Sequence, residues 1–157
     1  MALSRRAIVV LAAGLMLGAC AGAKTVTDDR GRPLEPLTVV TASGDHQFMV
    51  EIADDEASRA RGLMFRPPLE DDRGMLFQFP AAREQSFWTR NTPSSLDILY
   101  IDPQGRIVSI AKHTTPYSEE PIPSRGAANG VLELRAGRAD EIGAKPGDLV
   151  KHSFFNN

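Results

Sequence analysis

From Leu37 to Phe155 the apolar residues fall into eight runs of five to seven residues, separated by segments rich in Gly, Pro, Asp and Ser. The runs are Leu37–Thr41, Gln47–Ala53, Gly74–Phe79, Gln85–Arg90, Leu96–Ile101, Arg106–Ala111, Gly130–Leu134 and Leu149–Phe155. Phe48, Val50 and Ile52 alternate with polar residues, the period of a half-buried strand. Leu96–Ile101, LDILYI, is apolar and short enough for a core strand. Asp102–Gly105 is turn chemistry and predicts that Arg106–Ala111 returns antiparallel. Only two segments read otherwise. Asp54 or Asp55 caps a short helix, DDEASRARGLM, with Gly62 as its stop and Pro67-Pro68 preventing continuation; Ala136–Gly143 is a turn or second short helix. His113–Asn129, with Pro116, Pro121, Pro123 and Gly126, reads as a loop. The fold class expected is mainly β: a compact antiparallel sandwich or barrel with one or two short helices, in one domain over 37–155.

The segment before that domain carries an address. Arg5 and Arg6 precede an eleven-residue apolar run, Ala7–Leu17, followed by Leu17-Gly18-Ala19-Cys20. A positive n-region, a short apolar stretch and small residues before a cut make a secretory signal. At ~1.5 Å per residue the run is about 16 Å long, half the roughly 30 Å hydrocarbon core. The only Cys of the chain, Cys20, stands at the cut, as in the lipobox of bacterial lipoproteins. The expectation is a signal peptide over 1–19, then lipidated Cys20 and a flexible tether over 20–36, AGAKTVTDDRGRPLEP after the Cys. Ala21 rather than Asp follows the Cys, which by resemblance to Gram-negative sorting favours the outer membrane. Ser4-Arg5-Arg6-Ala7 partly resembles a twin-arginine signal. The partner expected first is therefore the lipid bilayer, reached from the periplasmic side of a bacterial envelope.

Five blocks in the domain carry a resemblance: Arg61-Gly62-Leu63-Met64-Phe65-Arg66; Gly74-Met75-Leu76-Phe77; Phe87-Trp88-Thr89-Arg90-Asn91-Thr92; Leu96-Asp97-Ile98 with Ile101-Asp102; and Val131-Leu132-Glu133-Leu134 with Gly147-Asp148. Their order and spacing resemble the bacterial and archaeal domain-of-unknown-function family 192, over the whole of Leu37 to Phe155. The resemblance implies a single mainly-β domain and brings no settled activity. Thr89-Arg90 stands where that family usually carries Met-Lys, so the charge is kept and an apolar side chain is replaced.

Composition removes several functions. The formal charge is −2, which argues against a nucleic-acid partner. One Cys excludes an intrachain disulfide and a cysteine zinc cluster. His46, His113 and His152 lack the spacing of a helical metal pair, no phosphate-cradling glycine loop is present, and no metal or cofactor is expected. What remains is polarity in unexpected places. Trp88-Thr89-Arg90-Asn91-Thr92 sets an indole, a cation, an amide and two hydroxyls at a strand end, a pattern suited to sugar rings or flat polar ligands. Arg61 and Arg66 flank the helix exit. Asp97 and Glu133 interrupt apolar strands. The binding set expected is Arg61, Arg66, Trp88, Arg90, Asn91, Thr92 and Asp97. Asp97 is expected to contact Arg61, Arg66, Arg90 or Asn91, since consecutive antiparallel strands are usually neighbours. The leading reading is a non-enzymatic domain binding a ligand, an envelope glycan or an envelope protein. The rivals are a glycan hydrolase with Asp97 and Glu133 as paired catalytic carboxylates, and a structural or assembly accessory.

Overall fold

The computed structural model describes residues 26–28 and 30–156. The signal segment and Cys20 lie outside the described residues. Seven strands form one sheet: β1 Glu35–Thr41, β2 Gly44–Ala53, β3 Arg73–Phe87, β4 Leu96–Ile101, β5 Ile107–Ala111, β6 Ile122–Arg135 and β7 Leu149–Lys151. Their spatial order is β5-β4-β6-β3-β2-β1-β7. The sheet curls into a half-barrel with two short helices, the mainly-β architecture expected. The edge strands meet at one end only, where Ile107 N–H donates to Asp148 O at 2.9 Å and Val150 N–H to Gly105 O at 2.7 Å.

One pair departs from the antiparallel expectation: β2 and β3 run parallel. A parallel pair needs a crossover of a dozen or more residues. The segment 54–72 supplies it and contains α1, Glu56–Arg61. Asp55 caps α1 in a capping box, accepting from Ser58 N–H at 2.8 Å while Asp55 N–H donates to Ser58 Oγ at 3.2 Å. Gly62 ends it at φ 47° and ψ −133°. A Cβ there would stand 3.2 Å from the Phe77 ring. Gly62→Ala should therefore cost about 1–3 kcal/mol, read as a lower urea midpoint at unchanged slope.

The two faces of the sheet bury different cores. Leu37, Val39, Phe48, Val50, Leu76, Leu99, Leu132 and Leu134 fill the main one, closed by Ile142 and Phe155. Met75, Phe77, Ile98, Tyr100 and Val131 belong to a second, covered by Leu63, Phe87 and Ile122. β4 lies between β5 and β6 with all six residues buried, which is why its sequence is apolar except at Asp97.

Three expectations are corrected. The runs 74–79 and 85–90 are not two strands; the first and Gln85–Phe87 belong to the single strand β3, bulged where its register with β6 shifts between Gln78 and Arg83. Much of the loop expected over 113–129 is strand, since β6 begins at Ile122. That arm pairs with β3, whereas β4 pairs with β6 only over 130–135, so Pro123 stands on a ribbon with a free edge, where proline is tolerated. The last strand stops at Lys151, and the chain turns through His152 to drop Phe155 against Gly130.

The second half of the expected tether is also attached. Glu35 and Pro36 pair with Val50 and Met49 in β1. Thr27 bridges Pro33, and Asp28 is buried, accepting from the backbone N–H of Arg30 and Arg32 at 2.9 and 2.7 Å. Both arginines also donate to Ile52 O. Two buried-carboxylate hydrogen bonds and two guanidinium contacts give this segment a defined seat, which its small, polar composition does not advertise.

Candidate functional site

The second core is incomplete, and the gap is a cleft. Gly62 and Leu63 leave α1 over β3, and the far arm of β3 brings Phe87 back over the same face. Phe87 meets Phe77 edge-on at 4.9 Å and Tyr100 at 6.0 Å. Arg59 ties the helix to β3, donating to Gln78 O at 2.9 Å with its guanidinium 5.3 Å from the Phe79 ring centre. Between them lies a cavity of about 350 Å³, lined by Arg59, Arg61, Leu63, Met64, Phe77, Phe79, Phe87, Trp88, Thr92 and Glu133 among others. That volume is within the range of small-ligand pockets.

Glu133 is the unusual member. It stands on β6 opposite Met75 of β3 and Ile98 of β4, so its side chain shares their apolar face. It is 4% exposed. No hydrogen bond or ion pair to its carboxyl is formed by any described residue. Burial alone pushes its carboxyl up to about 8, because burial penalises the charged form and no cation of the described residues pairs with it. The Tyr100 phenol is pushed upward too, by burial and then by the Glu133 charge.

Trp88 forms the rim, 47% exposed, with the Arg90 guanidinium 5.5 Å from its ring. Arg90 also faces Glu119 at 3.5 Å across solvent. Arg61, exposed on α1, lines this cleft and a neighbouring hollow that also holds Arg66. Arg66 is not part of the cleft; it grips Glu51 through two hydrogen bonds of 2.7 and 2.6 Å. Asn91 turns the loop at φ 55° and directs its amide toward Met64 Sδ at 3.9 Å. Thr92 is buried and lines the cleft. Of the expected binding set, Arg61, Trp88 and Thr92 line this cavity, Arg90 and Asn91 support its wall, and Arg66 and Asp97 lie elsewhere.

Asp97 is a correction. It is fully buried and accepts from His113 N–H and Ala139 N–H, each at 2.9 Å. It touches none of Arg61, Arg66, Arg90 or Asn91. The neighbour rule fails because β6 inserts between β3 and β4. Asp97 instead seats the first turn of α2, Arg138–Glu141. Nor can it pair with Glu133: Asp97 stands opposite Leu134, and Glu133 opposite Ile98, so the two carboxyl groups project from opposite faces of the sheet.

Sequence reading missed Phe65 and Tyr117, which are 75% and 65% exposed. Phe65 N–H donates to Asn91 O at 2.8 Å and Tyr117 N–H to Thr92 O at 3.1 Å, so both flank the Trp88–Thr92 loop. Both hold left-handed backbone, φ 61° and 56°, a strain for bulky residues. The one available signal was an aromatic within two residues of proline, in Phe65-Arg66-Pro67 and Pro116-Tyr117. Thr89 has a role the apolar residue usual in the resembled family would not fill: its buried hydroxyl donates to Thr115 O and accepts from Ser118 N–H, tying down the Tyr117 loop. Among the described residues no group of three or more His, Cys, Asp and Glu side chains is placed to hold a metal ion.

Among the solved structures that resemble this one are the following two. A protein of unknown function from Novosphingobium aromaticivorans DSM 12444 is 38% identical, with a TM-score of 0.79, covering 88% of this chain and 100% of its own. A "putative transcription regulator" from Sinorhizobium meliloti 1021 is 41% identical, with a TM-score of 0.72, covering 74% of this chain and 92% of its own. No curated protein matches. The model of the DUF192 family, described as Uncharacterized ACR, matches residues 38–152, and the chain belongs to that family.

Proposed function

We propose that this is a lipid-anchored protein of the bacterial cell envelope whose domain binds a small ligand in the cleft between α1 and β3. The observation that carries the binding reading is an apolar, aromatic-walled cavity of about 350 Å³ with a buried carboxyl at its floor and a half-exposed indole at its rim. Glycan hydrolysis by paired carboxylates loses its support, because Asp97 and Glu133 stand on opposite faces. A purely structural role accounts poorly for an indole left half in water beside an open cavity.

Trp88 is the only tryptophan in the chain, so the fluorescence comes from the rim of the cleft and of the hollow it shares with Glu119 and Pro121. A small-molecule library screened by that signal should yield ligands whose affinity drops at least tenfold in Trp88→Ala, with little change in melting temperature. Ligands that bind Trp88→Ala equally well would place binding outside the cleft.

The anchor rests on Arg5, Arg6, the Ala7–Leu17 run and Cys20. Several acyl chains hold firmly, at about 0.8 kcal/mol per buried CH₂. Cys20→Ala should abolish palmitate labelling and release the protein from the membrane fraction. Unchanged membrane retention would remove the lipoprotein reading while leaving the cleft untouched.

A further inference from the structure

We infer that the ligand of this cleft is an organic cation, an ammonium or guanidinium group on an apolar body, with Glu133 as its buried counter-ion. This inference rests on the binding reading above and names the chemistry of the ligand.

The argument starts from what Glu133 lacks. A carboxylate offers two oxygens and about four acceptor positions. No side chain or backbone N–H of the described residues donates to them, although the group is 4% exposed. Buried charges are retained where something pairs with them. The surroundings show that the wall does not supply that partner. From β3, Met75 and Phe77 face Glu133; from β4, Ile98 and Tyr100, whose hydroxyl is already donated to Ile122 O. One step along the same face, Arg73 stands by Glu70 and Asp72 through its Nε and keeps a buried Nη1 that forms no hydrogen bond, to Glu133 or otherwise, and Arg135 is held by Asp71 and Glu141. From α1, Glu56, Arg59 and Arg61 line the mouth; Arg59 is committed to Asp54 O and Gln78 O, and Arg61 is exposed to solvent and forms no ion pair with Glu133. The missing group is therefore a set of N–H donors arriving from the cavity. An ammonium brings three and a guanidinium five.

The walls suit the same ligand. Phe77, Phe79, Phe87 and Trp88 line the cavity, and aromatic faces attract cations while their bodies bury an alkyl or aryl chain. Two of these rings already hold a guanidinium at 5.3 and 5.5 Å on the protein's own side. An anion would be drawn to Arg59 and Arg61 at the mouth but would meet the aromatic faces and the carboxyl of the floor unfavourably. A neutral alcohol would satisfy one acceptor and leave the rest.

Binding then carries a proton signature. Burial keeps the empty site's carboxyl protonated up to about pH 8. A cation pairs with the carboxylate, so below that pH each binding event releases a proton from Glu133. Affinity then rises roughly tenfold per pH unit toward about 8 and levels beyond it.

The test titrates phenethylamine, 2-phenylethanol and 3-phenylpropionate into the full chain. Trp88 fluorescence is followed, with calorimetry in two buffers of different ionisation enthalpy. Phenethylamine stays protonated over this range, as an alkylammonium does. The expected result is an amine at least tenfold tighter than the alcohol, the carboxylate weakest, and nearly one proton released per amine bound at pH 6–7. Glu133→Gln should erase the amine's advantage and its pH dependence while still binding the alcohol. An alcohol that binds wild type as well as the amine, or amine binding with no proton release, overturns the cation assignment and leaves the cleft reading standing. No response of Trp88 to any of the three overturns both. Should Glu133→Gln fail to fold, the proton count and pH dependence of the wild type decide alone.

Discussion

Asp97→Ala should lower the melting temperature by on the order of 10 °C without weakening any ligand held in the cleft. Its two oxygens each accept one backbone N–H, from His113 and from Ala139. Truncation orphans both donors. An orphaned buried donor costs about 1–3 kcal/mol, so the sum is about 2–5 kcal/mol, the His113 side being partly exposed. Asp97→Asn separates this account from an ion pair. The amide keeps one acceptor but turns an NH₂ toward the other donor, so roughly half the loss should remain. Binding should survive in both variants at temperatures where they are folded, because Asp97 projects from the face opposite Glu133. An Asp97→Ala protein as stable as the parent would show that these two bonds do not hold α2 in place.

Glu133→Gln should make the protein more stable than the parent at alkaline pH and nearly equal to it under acid conditions. The ordinary value for the carboxyl is 4.5, and burial raises it to about 8 in the folded chain. Between those values the folded state holds a proton that the unfolded chain has released. Stability contributed by that proton is complete below about pH 4.5 and is lost as pH rises through about 8, at up to ~1.4 kcal/mol per unit. The difference between parent and variant should therefore open across that window to a few kcal/mol and stay constant above it. Asp54, Asp71 and Asp140 are shifted the other way, held below the ordinary carboxylate range first by hydrogen bonds from Arg32, Arg135 and Lys112. Their contributions are lost only as pH falls through that lower range. They are common to both proteins and cancel in the comparison. Urea unfolding of the two at several pH values measures the effect; a parallel pair of stability curves would mean that Glu133 is solvated or paired in solution.

Much of the fold was legible where a rule acts over a few residues. The β4 strand was read at its full extent, because a six-residue apolar run bounded by Ser95 and Asp102 has one economical reading. The cap of α1, narrowed to Asp54 or Asp55 and placed by the structure at Asp55, and its Gly62 stop were legible for the same reason, since a capping side chain reaches only the next turn. Misreadings came where composition competed with pairing. Pro123 and Gly126 made a strand look like a loop, because the tolerance for proline depends on a free edge that only the assembled sheet defines. The Asp28 turn was hidden likewise: its small, charged neighbours resemble a solvated linker until Ile52 O receives both arginines.

The candidate site divides along the same line. Trp88, Arg90, Asn91 and Thr92 stood out because their residue types are unusual at a strand end, and the structure keeps them together at one wall. Asp97 and Glu133 looked alike in sequence, each a lone acid in an apolar strand. Their fates differ through register. With Ile98 opposite Glu133 and Leu134 opposite Asp97, one carboxyl meets two waiting N–H groups and the other an empty cavity. The sequence by itself determined the short apolar strands, the helix α1 and the polar residues worth watching, because these follow from local periodicity and short-range hydrogen bonding. Only the tertiary structure decided that β6 lies between β3 and β4, and hence which acid is structural and which faces the cleft, because pairing partners are chosen by burying two faces at once.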